Sequence, residues 1–328
     1  MKIIAYAARK DEQYGFDKVS AELQVELKYV TDGLNLGNTE EAAGYEYVTI
    51  LGHCDASREV LKKLSSLGVK YISSRSAGYN NIDIEAAKEY GIRVSSASYS
   101  PNCVADFTLM LMLMCIRNAK QSLLRGEAKD FSLRGLRGLE MKNLVVGVIG
   151  TGRIGRTVIK NISGFGSKII GYDLYQNDEI KDYMNYVDLE TLYRESDIIT
   201  LHAPYIEENH HLINRDTISK MKENVIIINT ARGELIDTEA LINGLEQGKI
   251  GAAGLDVLEG EVGIYHNDKR FESFVNHNMS ILRCMPNVIL TQHLAFYTDQ
   301  AVYDMVECGL KSLYYFKNGE KNPWEILA

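Results

Sequence analysis

A chain of 328 residues exceeds the size at which a single hydrophobic core stops growing, about 250–300 residues, so two domains are expected. With 45% hydrophobic and 24% charged residues and a net charge of −8, the composition is that of an ordinary globular protein. It excludes a disordered chain, and neither nucleic acid nor an anionic membrane is an expected partner.

The first hundred residues alternate short apolar runs with helical patterns. A strand-like run after Lys2 leads directly into Arg9, Lys10, Asp11 and Glu12, so no signal peptide is apparent and a cytoplasmic location is expected. Strands are expected over 2–7, 25–29, 47–51, 69–72 and 93–95. Helices are expected over 57–67, capped by Ser57, and over 84–90. Such alternation builds a parallel sheet with helices on its faces. Ser100-Pro101 breaks the pattern. Residues 104–117 follow, apolar on nearly every face, shorter than the about 20 residues of a membrane span and interrupted by Asp106. A helix of this kind is buried on all sides, in a core or at a subunit interface. A second series of runs, 144–149, 168–172, 197–202, 225–229, 252–257 and 288–291, matches a doubly wound sheet. A closing helix over 298–316 can return to the first domain and make that domain discontinuous. The five cysteines, Cys54, Cys103, Cys115, Cys284 and Cys308, are odd in number and form no C-x-x-C pair, which argues against disulfides and thiolate metal clusters. Cys54 alone is placed near a pocket, and no metal is expected.

Gly150-Thr151-Gly152-Arg153-Ile154-Gly155 is a G-x-G-x-x-G motif directly after an apolar strand and opening a helix. Gly150 permits the tight turn, Gly152 lets backbone approach a pyrophosphate, and Gly155 lets the helix pack close on the strand. The helix N-terminus offers free N–H groups to the phosphates. Asp173 ends the next strand at the spacing expected of a ribose-binding carboxylate. It would repel a 2′-phosphate by roughly 1–4 kcal/mol, so NAD is expected rather than NADP.

Three further residues stand at or near strand ends in the second half: Arg232, Glu261 and His293. Ligands of open parallel sheets bind at those carboxyl ends. Reduction of a 2-oxo acid needs a grip on the carboxylate, a polarised carbonyl and a proton for its oxygen. A guanidinium suits the first two, being permanently charged and two-pronged. An imidazole suits the third, and a nearby carboxylate orients it.

At these residues the sequence resembles the D-2-hydroxyacid dehydrogenase family. The likeness covers nearly the whole chain. It includes Ser76-Ala77-Gly78-Tyr79-Asn80-Asn81-Ile82-Asp83, Tyr99-Ser100-Pro101, the glycine motif, and the segments 229–233, 256–261 and 293–298. The resemblance implies an α/β protein of two doubly wound parallel-sheet domains with the active site in the cleft between them. One is a flavodoxin-like substrate domain, 1–100 and 298–328; the other is a Rossmann NAD domain, 101–297. It also implies a homodimer through the apolar helix after Pro101. By the same resemblance Arg232 binds the substrate carboxylate, His293 is the acid/base and Glu261 its partner. The N–H groups near Ala77 and Gly78 add hydrogen bonds, and Tyr99 and Phe296 line the pocket. Thr230, Ala231, Asp256 and the His202-Ala203-Pro204 turn border the cofactor, and the product is the D (R) acid.

The Asp256–Glu261 segment and the long stretch 262–286 are similar to the branch of D-lactate, D-2-hydroxyisocaproate and phenyllactate dehydrogenases, which implies pyruvate, branched-chain or aromatic 2-oxo acids as substrates. Formate dehydrogenases of the superfamily carry Gln where Glu261 stands, and no basic cluster for a phosphorylated substrate appears near 51–54. Gln292 and Leu294 depart from the branch beside His293, and Asn80 replaces a common Asp. The 52–55 loop carries no bulky aromatic, leaving room for a side chain larger than methyl. The alternative is a non-enzymatic NAD-sensing protein, since corepressor relatives share the fold.

Overall fold

The structure, a computed structural model describing residues 1–272 and 276–326, divides into two compact units: Met1–Ser100 with Tyr297–Ala328, and Pro101–Phe296.

The first unit holds five strands: β1 (Lys2–Ala5), β2 (Glu26–Tyr29), β3 (Tyr47–Ile50), β4 (Tyr71–Ser74) and β5 (Arg93–Ser95). All pair in parallel, in the order β2-β1-β3-β4-β5. That is the flavodoxin-like order. The helices Gln13–Leu23 and Asp299–Asn318 pack Phe16, Val19, Val306, Leu310, Leu313 and Phe316 against Ile3 and Ala5. Thr298 caps the second of these helices by accepting the Ala301 N–H at 3.2 Å. Ser57 is the N-cap of Arg58–Ser66, but its side chain accepts no capping hydrogen bond.

Two strands of this unit differ from the sequence expectation by two residues. β1 stops at Ala5, because Ala7 turns into the left-handed region (φ +52°) and its N–H goes to Asp32 O. β4 lies two residues later than its apolar run suggests, because Ser73 and Ser74 are fully buried strand residues. Just beyond β4, Arg75 is also fully buried. Its Nε lies 2.8 Å from Oε1 of Glu12, itself fully buried, and its Nη2 donates to Tyr6 O at 2.9 Å. Phe16 stacks on the guanidinium at 5.2 Å. Only glycine fits at position 309, where a Cβ would stand 2.9 Å from Arg75 Cγ.

The second unit holds seven strands: β6 (Val145–Ile149), β7 (Lys168–Tyr172), β8 (Asn185–Tyr186), β9 (Ile198–Leu201), β10 (Val225–Asn229), β11 (Ile250–Leu255) and β12 (Val288–Leu290). They are parallel throughout, ordered β12-β11-β10-β9-β6-β7-β8. β10 shows why its sequence is uninterrupted Val-Ile-Ile-Ile. Val225 and Ile227 enter one hydrophobic cluster, Ile226 and Ile228 the other, so both faces of the sheet are covered. Chain order reverses between β6 and β9, the switch point at which doubly wound sheets bind ligands. The two-residue β8 and the helices Ala119–Glu127 and His277–Cys284 lie outside the sequence expectations.

The helix Asn102–Ile116 buries Val104, Ala105, Thr108, Leu111, Met112 and Ile116, but leaves Phe107, Leu109, Leu113 and Met114 half-buried and Met110 exposed. Its burial within one chain is therefore one-sided. Among the described residues no helix is long and apolar enough to cross a membrane.

Candidate active site

The turn after β6 is built by glycine sterics. Gly150 has φ +93°, and a Cβ on it would meet Ala203 N at 2.5 Å. A Cβ on Gly155 would stand 2.0 Å from Gly150 O, so this glycine lets the helix Arg153–Ser163 seat against the turn. A Cβ on Gly152, the N-cap, would meet nothing within 4 Å. Two glycines thus serve packing, and the third faces open space at a helix N-terminus that carries Arg153 and Ile154 in its first turn. Asp173 braces the turn: its Oδ2 accepts the Thr151 N–H at 2.5 Å and lies 3.0 Å from Thr151 Oγ1. The carboxylate remains half-buried.

His202 follows β9. Its Nε2 lies 2.9 Å from Thr200 Oγ1, while its buried Nδ1 has no partner among the described residues. The residue keeps some exposed surface, yet its ring is enclosed, and burial pushes the imidazole pKa down to about 3. His202 is therefore neutral, with an unused ring nitrogen beside the glycine turn. Ala203 and Pro204 continue this segment, and Thr230 Oγ1 pairs with buried Thr108 Oγ1 at 2.8 Å. An orphaned nitrogen, an open Gly152 and a half-buried carboxylate after β7 together fit a dinucleotide.

β10 ends at Asn229, whose side chain shapes the next turn. Its Oδ1 accepts the Ala231 N–H at 3.0 Å, and its Nδ2 donates to Arg232 O at 2.8 Å. Arg232 is half-buried; its Nη1 donates to Ala231 O, and no carboxylate pairs with it among the described residues. A Cβ on Gly233 would stand 2.2 Å from Leu258 C, so this turn lies directly on the loop after β11.

That loop presents Glu261. Its Oε2 accepts the Leu258 N–H at 2.7 Å, and its Oε1 lies 2.5 Å from His293 Nδ1. His293 adopts a left-handed backbone (φ +53°), and its N–H goes to Asp256 O at 2.7 Å. The fully buried Asp256 carboxylate, expected beside the cofactor, is occupied by Thr291 Oγ1, Leu294 N and Ala295 N at 2.5–3.0 Å. It holds the histidine segment in place. With Nδ1 taken, His293 Nε2 has no partner among the described residues. The Phe296 ring stands edge-on to the imidazole at 6.5 Å. His266, which sequence reasoning passed over, places its Nε2 3.0 Å from His293 O. Gln292 is exposed, and Leu294 takes part through its backbone N–H.

Ala77, Gly78 and Tyr99 belong to the first unit. The Ala77 and Gly78 N–H groups follow β4 and donate to nothing among the described residues, while Ser76 Oγ donates to Gly78 O at 2.8 Å. Tyr99 is half-buried. Cys54 is buried as well, with its thiol accepting the Leu34 N–H at 3.3 Å and its pKa raised by burial. All five cysteines are thiols, with no disulfide among them.

Residues 109–295 match the family model of the D-isomer specific 2-hydroxyacid dehydrogenase NAD binding domain. An aromatic 2-oxoacid reductase of Clostridium sporogenes is 47% identical over 319 residues, 97% of this chain and 96% of the relative. Among solved structures, a D-2-hydroxyisocaproate dehydrogenase superposes with a TM-score of 0.91 at 38% identity, covering 100% of both chains. A D-lactate dehydrogenase with NAD+ from Lactobacillus jensenii superposes with a TM-score of 0.87 at 32% identity, again covering 100% of both.

Proposed function

This chain belongs to the D-isomer specific 2-hydroxyacid dehydrogenase family, and from that premise we propose that it reduces aromatic 2-oxo acids to D-2-hydroxy acids through Arg232, His293 and Glu261. It is an NAD-dependent oxidoreductase of 2-hydroxy acids. NADH, when bound, supplies a hydride to the substrate C2 and leaves as NAD+.

Arg232 grips the carboxylate and polarises the carbonyl; that no carboxylate pairs with it among the described residues supports this role. His293 gives its Nε2 proton to the carbonyl oxygen as C2 is reduced, so the C=O becomes CH–OH. The observation that carries the proposal is the 2.5 Å contact of Glu261 with His293 Nδ1, which directs Nε2 outward. Asp256 is a positioning residue for the same segment. Ala77 and Gly78 N–H groups donate to the substrate carboxylate, and Tyr99 and Phe296 line its side chain; the first unit is thus the substrate domain. Gly150, Gly152, Arg153, Ile154 and Gly155 hold the pyrophosphate and Asp173 the adenosine ribose. His202, Ala203, Pro204, Thr230, Ala231 and Asp256 border the cofactor.

The aromatic preference rests on the 47% identical reductase. Relative kcat/KM for pyruvate, 4-methyl-2-oxopentanoate and phenylpyruvate with NADH tests it. Phenylpyruvate should lead; a lead for pyruvate overturns the substrate class, and NADH binding with no turnover of any acid overturns catalysis in favour of NAD sensing. A cytoplasmic location and a homodimer are also proposed; the homodimer is supported by Met110, Leu123, Leu124, Phe131 and Leu133, apolar residues exposed on the helix Asn102–Ile116 and the segment after it. Light scattering that returns the 36.8 kDa monomer mass would overturn the dimer.

A further inference from the structure

Beyond β9, His210 and His211 stand with their rings 3.8 Å apart and nearly parallel, at 23°. His211 Nε2 lies 2.7 Å from Oε1 of Glu259, which comes from the loop after β11. One ligand atom from each of His210, His211 and Glu259 falls within 4.8 Å of the others. Supporting contacts surround the cluster. Glu259 Oε2 accepts from Thr238 Oγ1 at 2.9 Å. The Tyr205 hydroxyl lies 3.4 Å from both His210 Nδ1 and Glu207 Oε2. It can donate to Glu207 and accept the Nδ1 proton of His210, which leaves His210 Nε2 unprotonated and available.

We propose that His210, His211 and Glu259 form a binding site for a transition-metal dication of the Zn2+ class. Two imidazoles and one carboxylate are the donor set this ion takes, with water in the fourth position. Mg2+ and Ca2+ want shells of oxygen and are poorly served. A tetrahedral ion holds such atoms about 3.3 Å apart. The metal takes the place of the proton now shared at 2.7 Å, and His210 closes from within 4.8 Å by side-chain rotation. Fixed outer partners on His210 and Glu259 are what metal ligands ordinarily have. The ion ties the segment after β9 to the loop that also carries Glu261, a loop already seated against Gly233. The site does not depend on the catalytic assignments.

The test is calorimetric titration of the EDTA-treated, desalted full chain with ZnCl2, alongside visible absorption of the Co2+ form. The expected result is one ion per chain with a micromolar Kd and a tetrahedral Co2+ band. Tyr205→Phe should weaken binding about tenfold, as loss of an outer partner does, and His210→Ala by more than about 100-fold. His210 is exposed, so its removal leaves the fold intact. His293→Ala should leave the affinity within about twofold, because that residue contributes no ligand. Uptake only at millimolar Zn2+, unchanged binding by His210→Ala, or loss of uptake in His293→Ala would overturn the proposal, the last by assigning the ion to His293 and Glu261.

Discussion

The glycine turn offers a sharp contrast between two substitutions of the same size. In Gly155→Ala the new methyl lands 2.0 Å from Gly150 O, a backbone atom that cannot rotate away. The helix Arg153–Ser163 must then lift off the turn, at a cost in the overpacking range of about 1–3 kcal/mol or more. In Gly152→Ala the methyl meets nothing within 4 Å, and φ −64° is open to any residue. Its stability cost is limited to the weaker N-cap, about 1 kcal/mol or less. That methyl nevertheless occupies the space through which a pyrophosphate would reach the helix N-terminus. Gly152→Ala is therefore expected to melt close to the parent yet bind NADH at least about tenfold more weakly, or about 1.4 kcal/mol. Gly155→Ala is expected to lose stability first. Urea unfolding of the free protein and fluorescence titration with NADH separate the two effects. Parental NADH affinity in Gly152→Ala would show that the open space is not the phosphate path.

His202 links stability to pH. Its folded pKa, about 3, lies below the usual 6.5, so the unfolded chain takes the proton first. Its contribution is complete above about pH 6.5 and is lost toward pH 3, with a limiting slope of about 1.4 kcal/mol per pH unit. His202→Gln should flatten the acid side of a melting-temperature profile, and an unchanged slope would contradict the assignment. Glu12→Gln strands a buried guanidinium and should cost about 3–5 kcal/mol in urea unfolding, part of which Arg75→Met should restore in the double variant. Arg232→Lys keeps the charge but loses the two-pronged grip; kcat/KM should fall at least about tenfold with NADH affinity retained. Equal loss of both would indicate a damaged fold.

The glycine turn and the ends of β10 and β11 were legible because their chemistry is local. A strand, a glycine run and a helix follow one another in sequence, and Asp173 comes at a set distance. What escaped depends on contacts between distant segments. Arg75 reads as a surface charge until Glu12, 63 positions away, is brought to it. Asp256 reads as a cofactor neighbour, and only the folded chain shows that its carboxylate also accepts from Thr291, Leu294 and Ala295. His210 and His211 are neighbours in sequence, but Glu259, 48 positions beyond His211, gives the pair its chemical meaning. β8 is too short for periodicity to register, and β4 conceals two buried serines behind a polar pattern.

Catalysis turns on His293 delivering a proton while hydride reaches one face of a 2-oxo acid. Chiral chromatography of the product formed from phenylpyruvate and NADH, by the parent and by His293→Ala at matched NADH saturation, addresses it most directly. Only the D-2-hydroxy acid is expected from the parent, with a rate lower by about 10²–10⁴ in the variant. A racemic or L product, or a variant as fast as the parent, would contradict it.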